Sequence, residues 1–173
     1  MNLKDKIRTV PDWPSKGIMF RDITTLIQDP DAFRETCDQL YERYKDMDID
    51  KIAGIDARGF IFGSVLSYKM DIGFIPVRKK GKLPFKTIEE SYSLEYGTNT
   101  IEIHEDSINK GDKVLIVDDL IATGGTVKAA INLVEKLGGK VAECAFVIEL
   151  PDLHGREKLK GYNIFSLIQF EGE

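Results

Sequence analysis

Residues 114–126, VLIVDDLIATGGT, limit what this chain can fold into more than any other stretch. The run KVLIV at 113–117 is continuously apolar after its lysine, as in parallel strands covered on both faces. It delivers two adjacent carboxylates, Asp118 and Asp119, to the C-terminal end of the strand, where ligands bind in open α/β sheets. Thr123, Gly124, Gly125 and Thr126 then lead into a helix. Small side chains there leave backbone amides facing an anion, the helix dipole favours its charge, and the threonine hydroxyls add donors. The paired acids suit the hydroxyls of a ribose, so one strand-loop-helix unit offers places for a sugar and its 5′-phosphate. Taken alone, TGGT also suits a plain turn and the acids a solvated strand end. The doubled acid at a fixed distance before the glycines is what favours a ligand site. The patterns GxxxxGK(S/T) and GxGxxG are both missing, which disfavours a P-loop NTPase and a dinucleotide site.

The flanking segments alternate in the same way. Asp29 before Pro30 predicts a helix start, because the carboxylate accepts a free amide and proline tolerates the first turn. Phe33, Cys37, Leu40 and Tyr44 follow at helical spacing. KIAGI (51–55) predicts a short strand, GFIFGSVLSYKM (59–70) a helix apolar nearly all round and hence buried, and IGFIPV (72–77) another strand. Beyond TGGT, the residues Val127, Ala130, Ile131, Val134 and Leu137 form one helical stripe that ends at Gly138 and Gly139. Residues 141–148 and 162–167 predict two more strands. The fold class is therefore α/β, a parallel sheet flanked by helices with right-handed crossovers. Residues 78–112 break the rhythm with a basic turn, RKKGKLP, and two stretches, 92–96 and 100–104, that predict an antiparallel hairpin. This region is expected to form a flap or hood over the strand ends. With no repeat, low-complexity tract or linker, residues 1–173 read as a single domain.

Composition narrows the function further. A formal net charge of −5 argues against a nucleic-acid or anionic-membrane binder, since those displace counterions with a basic face. Cys37 and Cys144 stand far apart inside apolar patterns and read as reduced core residues rather than a disulfide framework. His104 and His154 share no ligand spacing with each other or with the cysteines, so no protein-built metal site is expected. The most apolar stretch, 59–68, is too short to cross a bilayer, and a soluble, cytoplasmic protein is the expectation.

The 114–126 stretch resembles the PRPP-binding motif of the type I phosphoribosyltransferases, where PRPP is phosphoribosyl pyrophosphate. PSKGIMFRDIT (14–24), GIDARGF (54–60), RKKGKLP (78–84), SYSLEYG (91–97) and GREKL (155–159) resemble, in order, segments of the family's adenine-specific branch. Departures are slight: Trp13 and Ala57 stand where phenylalanine and often serine are expected. The resemblance implies conversion of adenine and PRPP to AMP and pyrophosphate in purine salvage. It also implies a homodimer, and Mg2+ bound mainly through PRPP and pyrophosphate oxygens, with few direct protein ligands.

The resemblance distributes roles as follows. Ala122, Thr123, Gly124, Gly125 and Thr126 hold the phosphate of PRPP or AMP, and Asp118 and Asp119 are catalytic through the ribose. Arg58, in a loop between strand and helix, is a pyrophosphate ligand, able to fork onto phosphate oxygens as lysine cannot. Arg78 and Lys79 join it, partly from the neighbouring subunit, although a basic run by itself is as often a solvated face. Met19, Phe20 and Arg21 bind adenine, with a backbone acceptor for its amino group, although an apolar triplet such as Ile18, Met19 and Phe20 equally suits a core anchor. Glu95, otherwise read as a surface residue, becomes the group near N7 that accepts or shares the proton adenine loses, and Tyr96 becomes a lid. Two other classes remain: a PRPP-sensing regulator without catalysis, and a nucleotide-binding structural module that would leave the basic turn and SYSLEYG unused.

Overall fold

The computed structural model describes residues 1–94 and 96–172. Two short strands, β1 (Arg8–Pro11) and β2 (Met19–Asp22), pair antiparallel as a ribbon apart from the main sheet. Helix α1 (Thr24–Gln28) precedes α2 (Pro30–Tyr44), whose first turn is capped by the Asp29 carboxylate accepting from the amides of Asp31 and Ala32. Then come β3 (Lys51–Ile55), α3 (Arg58–Met70) and β4 (Gly73–Lys79). A hairpin follows, β5 (Thr87–Leu94) with β6 (Gly97–His104). The chain continues through β7 (Lys113–Ile121), α4 (Gly125–Lys136), β8 (Lys140–Glu149) and β9 (Ile164–Gln169).

Among the described residues, seven strands form one sheet in the order β5-β6-β4-β3-β7-β8-β9. The five from β4 to β9 run parallel, and the hairpin adds two antiparallel strands at the β4 edge. Alternation along β7 splits the core in two: Leu115 and Val117 face α2 and α3, while Val114 and Ile116 face α4. Strand β8 follows suit, with Ala145 and Val147 on the first side and Cys144 and Phe146 on the second. No helix among the described residues is long and apolar enough to cross a membrane.

Several expectations need correction. Helix α3 is not buried all round; Phe62, Gly63 and Leu66 face inward while Tyr68 is 87% exposed. It forms an outer layer packed on the sheet and on α2, so only one stripe is covered. Strand β7 extends past the acids to Ile121 because its pairing with β8 continues to Ile121 and Glu149, and β9 starts two residues later than the apolar pattern implied. The hairpin is longer, and its turn falls between Leu94 and Gly97. Polar cross-strand pairs such as the Ser91 and Thr100 hydroxyls, 2.8 Å apart, hold it, and these carry no hydrophobic signal. It continues the sheet from the C-terminal end of β4 and leans on α4, with the Tyr92 ring against Gly125 in the loop after β7, so it stands at the strand ends as expected.

Candidate active site

Two loops at the C-terminal ends of parallel strands open on one cleft of about 260 Å³. One, after β3, carries Asp56, Ala57 and Arg58, with a cis peptide between the first two, and runs straight into α3. The other, after β7, carries Ala122, Thr123, Gly124, Gly125 and Thr126 and runs into α4. Neither helix has a side-chain cap, so the amides of both first turns remain available to an anion. Gly59 lets the first loop pack on the second strand: a Cβ there would lie 2.7 Å from the Val117 carbonyl oxygen.

Between the loops stand the acids. Asp119 is buried and accepts from Arg58 Nε at 2.6 Å, while the Arg58 side chain stays 54% exposed. Asp118 accepts from the Asp119 amide at 2.8 Å. Burial, and then the neighbouring Asp119 carboxylate, push the Asp118 carboxyl well above the usual aspartate range. The Arg58 guanidinium is held more firmly protonated by Asp119. The cleft thus pairs a strained acid with anion-binding amides, an arrangement that fits a ligand carrying hydroxyl donors and phosphates.

Arg58 also lines a second cavity of about 310 Å³, beside the β1–β2 ribbon, walled by Trp13, Phe20, Arg21, Asp22 and Thr24 among others. Trp13 and Phe20 meet edge to face with centroids 4.5 Å apart. Arg21 donates to Thr9 Oγ1 at 2.7 Å and lies over the Phe170 ring. Arg8 donates to Asp22, and that hydrogen bond leads in lowering the Asp22 carboxyl to about 2. An apolar slot thus adjoins the polar cleft, and one guanidinium borders both.

A model of the phosphoribosyl transferase domain matches residues 24–172. The adenine phosphoribosyltransferase of Desulfosudis oleivorans is 66% identical over 173 residues, the whole of both chains. This chain belongs to the adenine phosphoribosyltransferases. The solved adenine phosphoribosyltransferase of Thermoanaerobacter pseudethanolicus superposes with a TM-score of 0.94 at 50% identity, over 97% of this chain and 98% of that one. That of Saccharomyces cerevisiae, complexed with adenine and an imino-altritol bisphosphate, gives 0.90 at 41% identity over 95% and 96%.

Of the residues singled out from sequence, Arg58, Asp118, Asp119 and Ala122 through Thr126 meet in the first cleft of this phosphoribosyltransferase. Phe20 and Arg21 line the second cavity, whereas Met19, next along β2, is exposed and not part of the lining. Arg78 sits outside the cleft but holds one of its lining residues, donating to Asp56 at 3.3 Å. Lys79 is exposed and not part of the lining. Tyr96 is 93% exposed at the hairpin turn, and Glu95 lies outside the described residues. Asp22 and Thr24 fall in the 14–24 segment that carries the resemblance but receive no role of their own from it, and Trp13 and Tyr92 are assigned none at the site. Their signal is tertiary, since a ribbon and a hairpin bring them in.

Proposed function

We propose that this adenine phosphoribosyltransferase joins N9 of adenine to the anomeric carbon of PRPP as the bond to pyrophosphate breaks, giving AMP in purine salvage. The observation that carries the reading is the single cleft holding two uncapped helix N-termini and the Asp118/Asp119 pair, next to an aromatic-walled cavity. The loop 122–126 holds the 5′-phosphate, and Asp118 and Asp119 take the ribose hydroxyls. Positive charge developing on the sugar favours their ionised forms, so the acids stabilise the transition state more than the ground state. Arg58 leaves Asp119 to fork onto the pyrophosphate. The aromatic wall of the second cavity supports placing the base beside Phe20 and Trp13, with backbone groups of Met19 and Arg21 offering the acceptor. Glu95 accepts the proton adenine gives up, and Tyr96 covers the base when the hairpin closes.

Among the described residues, no three His, Cys, Asp or Glu side chains stand close enough to hold a metal. The hard oxygens of Asp118 and Asp119 suit a magnesium ion carried by substrate, reached through its waters. When bound, that ion neutralises the leaving pyrophosphate. Arg78, through Asp56, and Lys79 join the pyrophosphate site, partly from the neighbouring subunit of a homodimer. Two free, buried cysteines suit a reducing cytoplasm.

Incubation with PRPP, magnesium and mixed purines tests the assignment: adenine is consumed, and hypoxanthine and guanine react far more slowly. An acceptor facing O6 leaves buried polar groups unpaired at roughly 1–3 kcal/mol each. Comparable turnover of hypoxanthine would refute the adenine reading. Single-turnover AMP formation by Glu95→Gln should be about 100- to 10,000-fold slower if the carboxylate takes the proton. A rate within about threefold of wild type removes that role.

A further inference from the structure

The GREKL segment, residues 155–159, lies behind the phosphate loop with no side chain between them. A Cβ on Gly155 would fall 2.5 Å from the Ala122 carbonyl oxygen, and one on Gly124 would fall 2.7 Å from the Gly155 carbonyl oxygen. The two backbones are in direct contact. Gly124 also has φ of 88°, a conformation that other residues enter only with strain. Where Gly155 sits therefore decides where the loop can sit.

Arg156 fixes Gly155. Its guanidinium forks onto Glu149, with Nε to Oε2 at 2.7 Å and Nη2 to Oε1 at 2.9 Å, and Nη1 donates to the Ile164 carbonyl at 3.2 Å. Glu149 is buried and also accepts from Ser166 Oγ at 2.7 Å. It ends β8 directly opposite Ile121, the residue that ends β7 and hands the chain to the loop, and the Leu150 amide donates to the Ile121 carbonyl at 3.0 Å. Loop, glycine, arginine and glutamate form a closed circuit with a short path on each side.

We propose that Arg156 and Glu149 are positioning residues for phosphate binding, acting through Gly155 to hold the amides at 124–126 where the 5′-phosphate oxygens fall. Neither touches substrate; a planar fork locks both the distance and the rotation of the 155–159 segment, which a lysine's point charge does not. The proposal rests on the phosphate assignment of loop 122–126 made above.

Two ligands that occupy different subsites separate this role from general stability. Calorimetric binding of ribose 5-phosphate reads the loop, and binding of magnesium pyrophosphate reads Arg58 and the amides of α3. In Gly155→Ala and Arg156→Ala the ribose 5-phosphate affinity should fall at least about tenfold while pyrophosphate stays within about twofold, since sub-ångström to 1 Å displacements carry penalties of this size. Arg156→Lys should fall on the side of Arg156→Ala. Unchanged ribose 5-phosphate binding in the folded variants overturns the proposal, as does an equal loss for both ligands. If Arg156→Ala and Gly155→Ala do not fold, Arg156→Lys and Glu149→Gln decide by the same ratio. A wild-type chain that binds ribose 5-phosphate no more tightly than ribose refutes the phosphate assignment itself and the proposal with it.

Discussion

Glu149 and the Asp118/Asp119 pair stand near the ends of neighbouring strands, yet their surroundings differ completely. Glu149 is wrapped in donors from Arg156, Ser166 and Gln169, and the Arg156 hydrogen bond leads in holding its carboxyl below the usual glutamate range. Asp118 faces a second carboxylate and burial, and is pushed the other way. Glu143, farther back on β8, resembles Glu149: Arg43 forks onto it at 2.8 and 3.1 Å, and the Tyr44 hydroxyl donates at 2.5 Å. Acids behind the cleft have their donors inside the chain, so they fix structure. The acids in the cleft are less fully enclosed: Asp119 has the half-exposed Arg58 and Asp118 the Asp119 amide, and the two carboxyls stand side by side where a ligand can reach them.

The contrast breaks most visibly in activity. Asp118→Asn with Asp119→Asn should lower AMP formation from PRPP by at least about 100-fold, since two charged acceptors beside a developing cation are lost. Near wild-type turnover in the purified double variant would make the pair structural. Arg43→Ala should do the reverse, leaving KM for both substrates in place and reducing stability. Glu143 then keeps the Tyr44 hydroxyl but loses its fork, a loss of about 1.5–3 kcal/mol for hydrogen bonds to a charge, at the lower end because Arg43 is over a third exposed. Thermal unfolding should register roughly 3–6 °C for a chain of this size. A drop in catalysis without a drop in Tm would erase the distinction between the two regions.

How far the site could be read from the chain follows the same division. The unit from β7 through α4 is local: a buried strand, two acids and a glycine loop occupy thirteen consecutive positions, 114–126, so propensity and chemistry coincide. The loop before α3 was legible for the same reason. Contacts that cross the sheet were not. Arg58 meets Asp119 across 61 residues of sequence, and Arg43 meets Glu143 across 100, and neither separation leaves a periodic trace. The Trp13 wall depends on a ribbon of four-residue strands, too short for alternation to register, and Phe20 is placed beside the base by resemblance rather than by periodicity. The hairpin was anticipated but its turn was misplaced, because β5 reads TIEESYSL and its polar pairs mimic a loop. Tyr68 was expected inside because apolar composition alone does not reveal which helices have a layer above them.

The smallest effect is the most discriminating, because the two sites should respond to pH with opposite sign. Asp118 has a raised carboxyl in the fold, so the folded chain holds a proton that the unfolded chain releases as pH climbs past the ordinary aspartate range. Its contribution to stability is complete in acid and is lost as pH rises. Glu149 is depressed, so its contribution is present above the ordinary glutamate range and is lost as pH falls through the lower, folded value. At neutral pH, Asp118→Asn should therefore unfold at a higher temperature than wild type, and Glu149→Gln at a lower one. A difference of about 1 kcal/mol would read as roughly 2–4 °C. Scans downward from pH 7 should show the first difference shrinking toward wild type as the native aspartate regains its proton, while the second holds until the pH falls below the ordinary glutamate range and shrinks only there, as the unfolded and then the folded Glu149 carboxyl take up protons. An Asp118→Asn protein less stable than wild type at pH 7 would mean that the cleft acid is as well satisfied as Glu149, and the ligand would no longer be needed to explain why two carboxylates share one cleft.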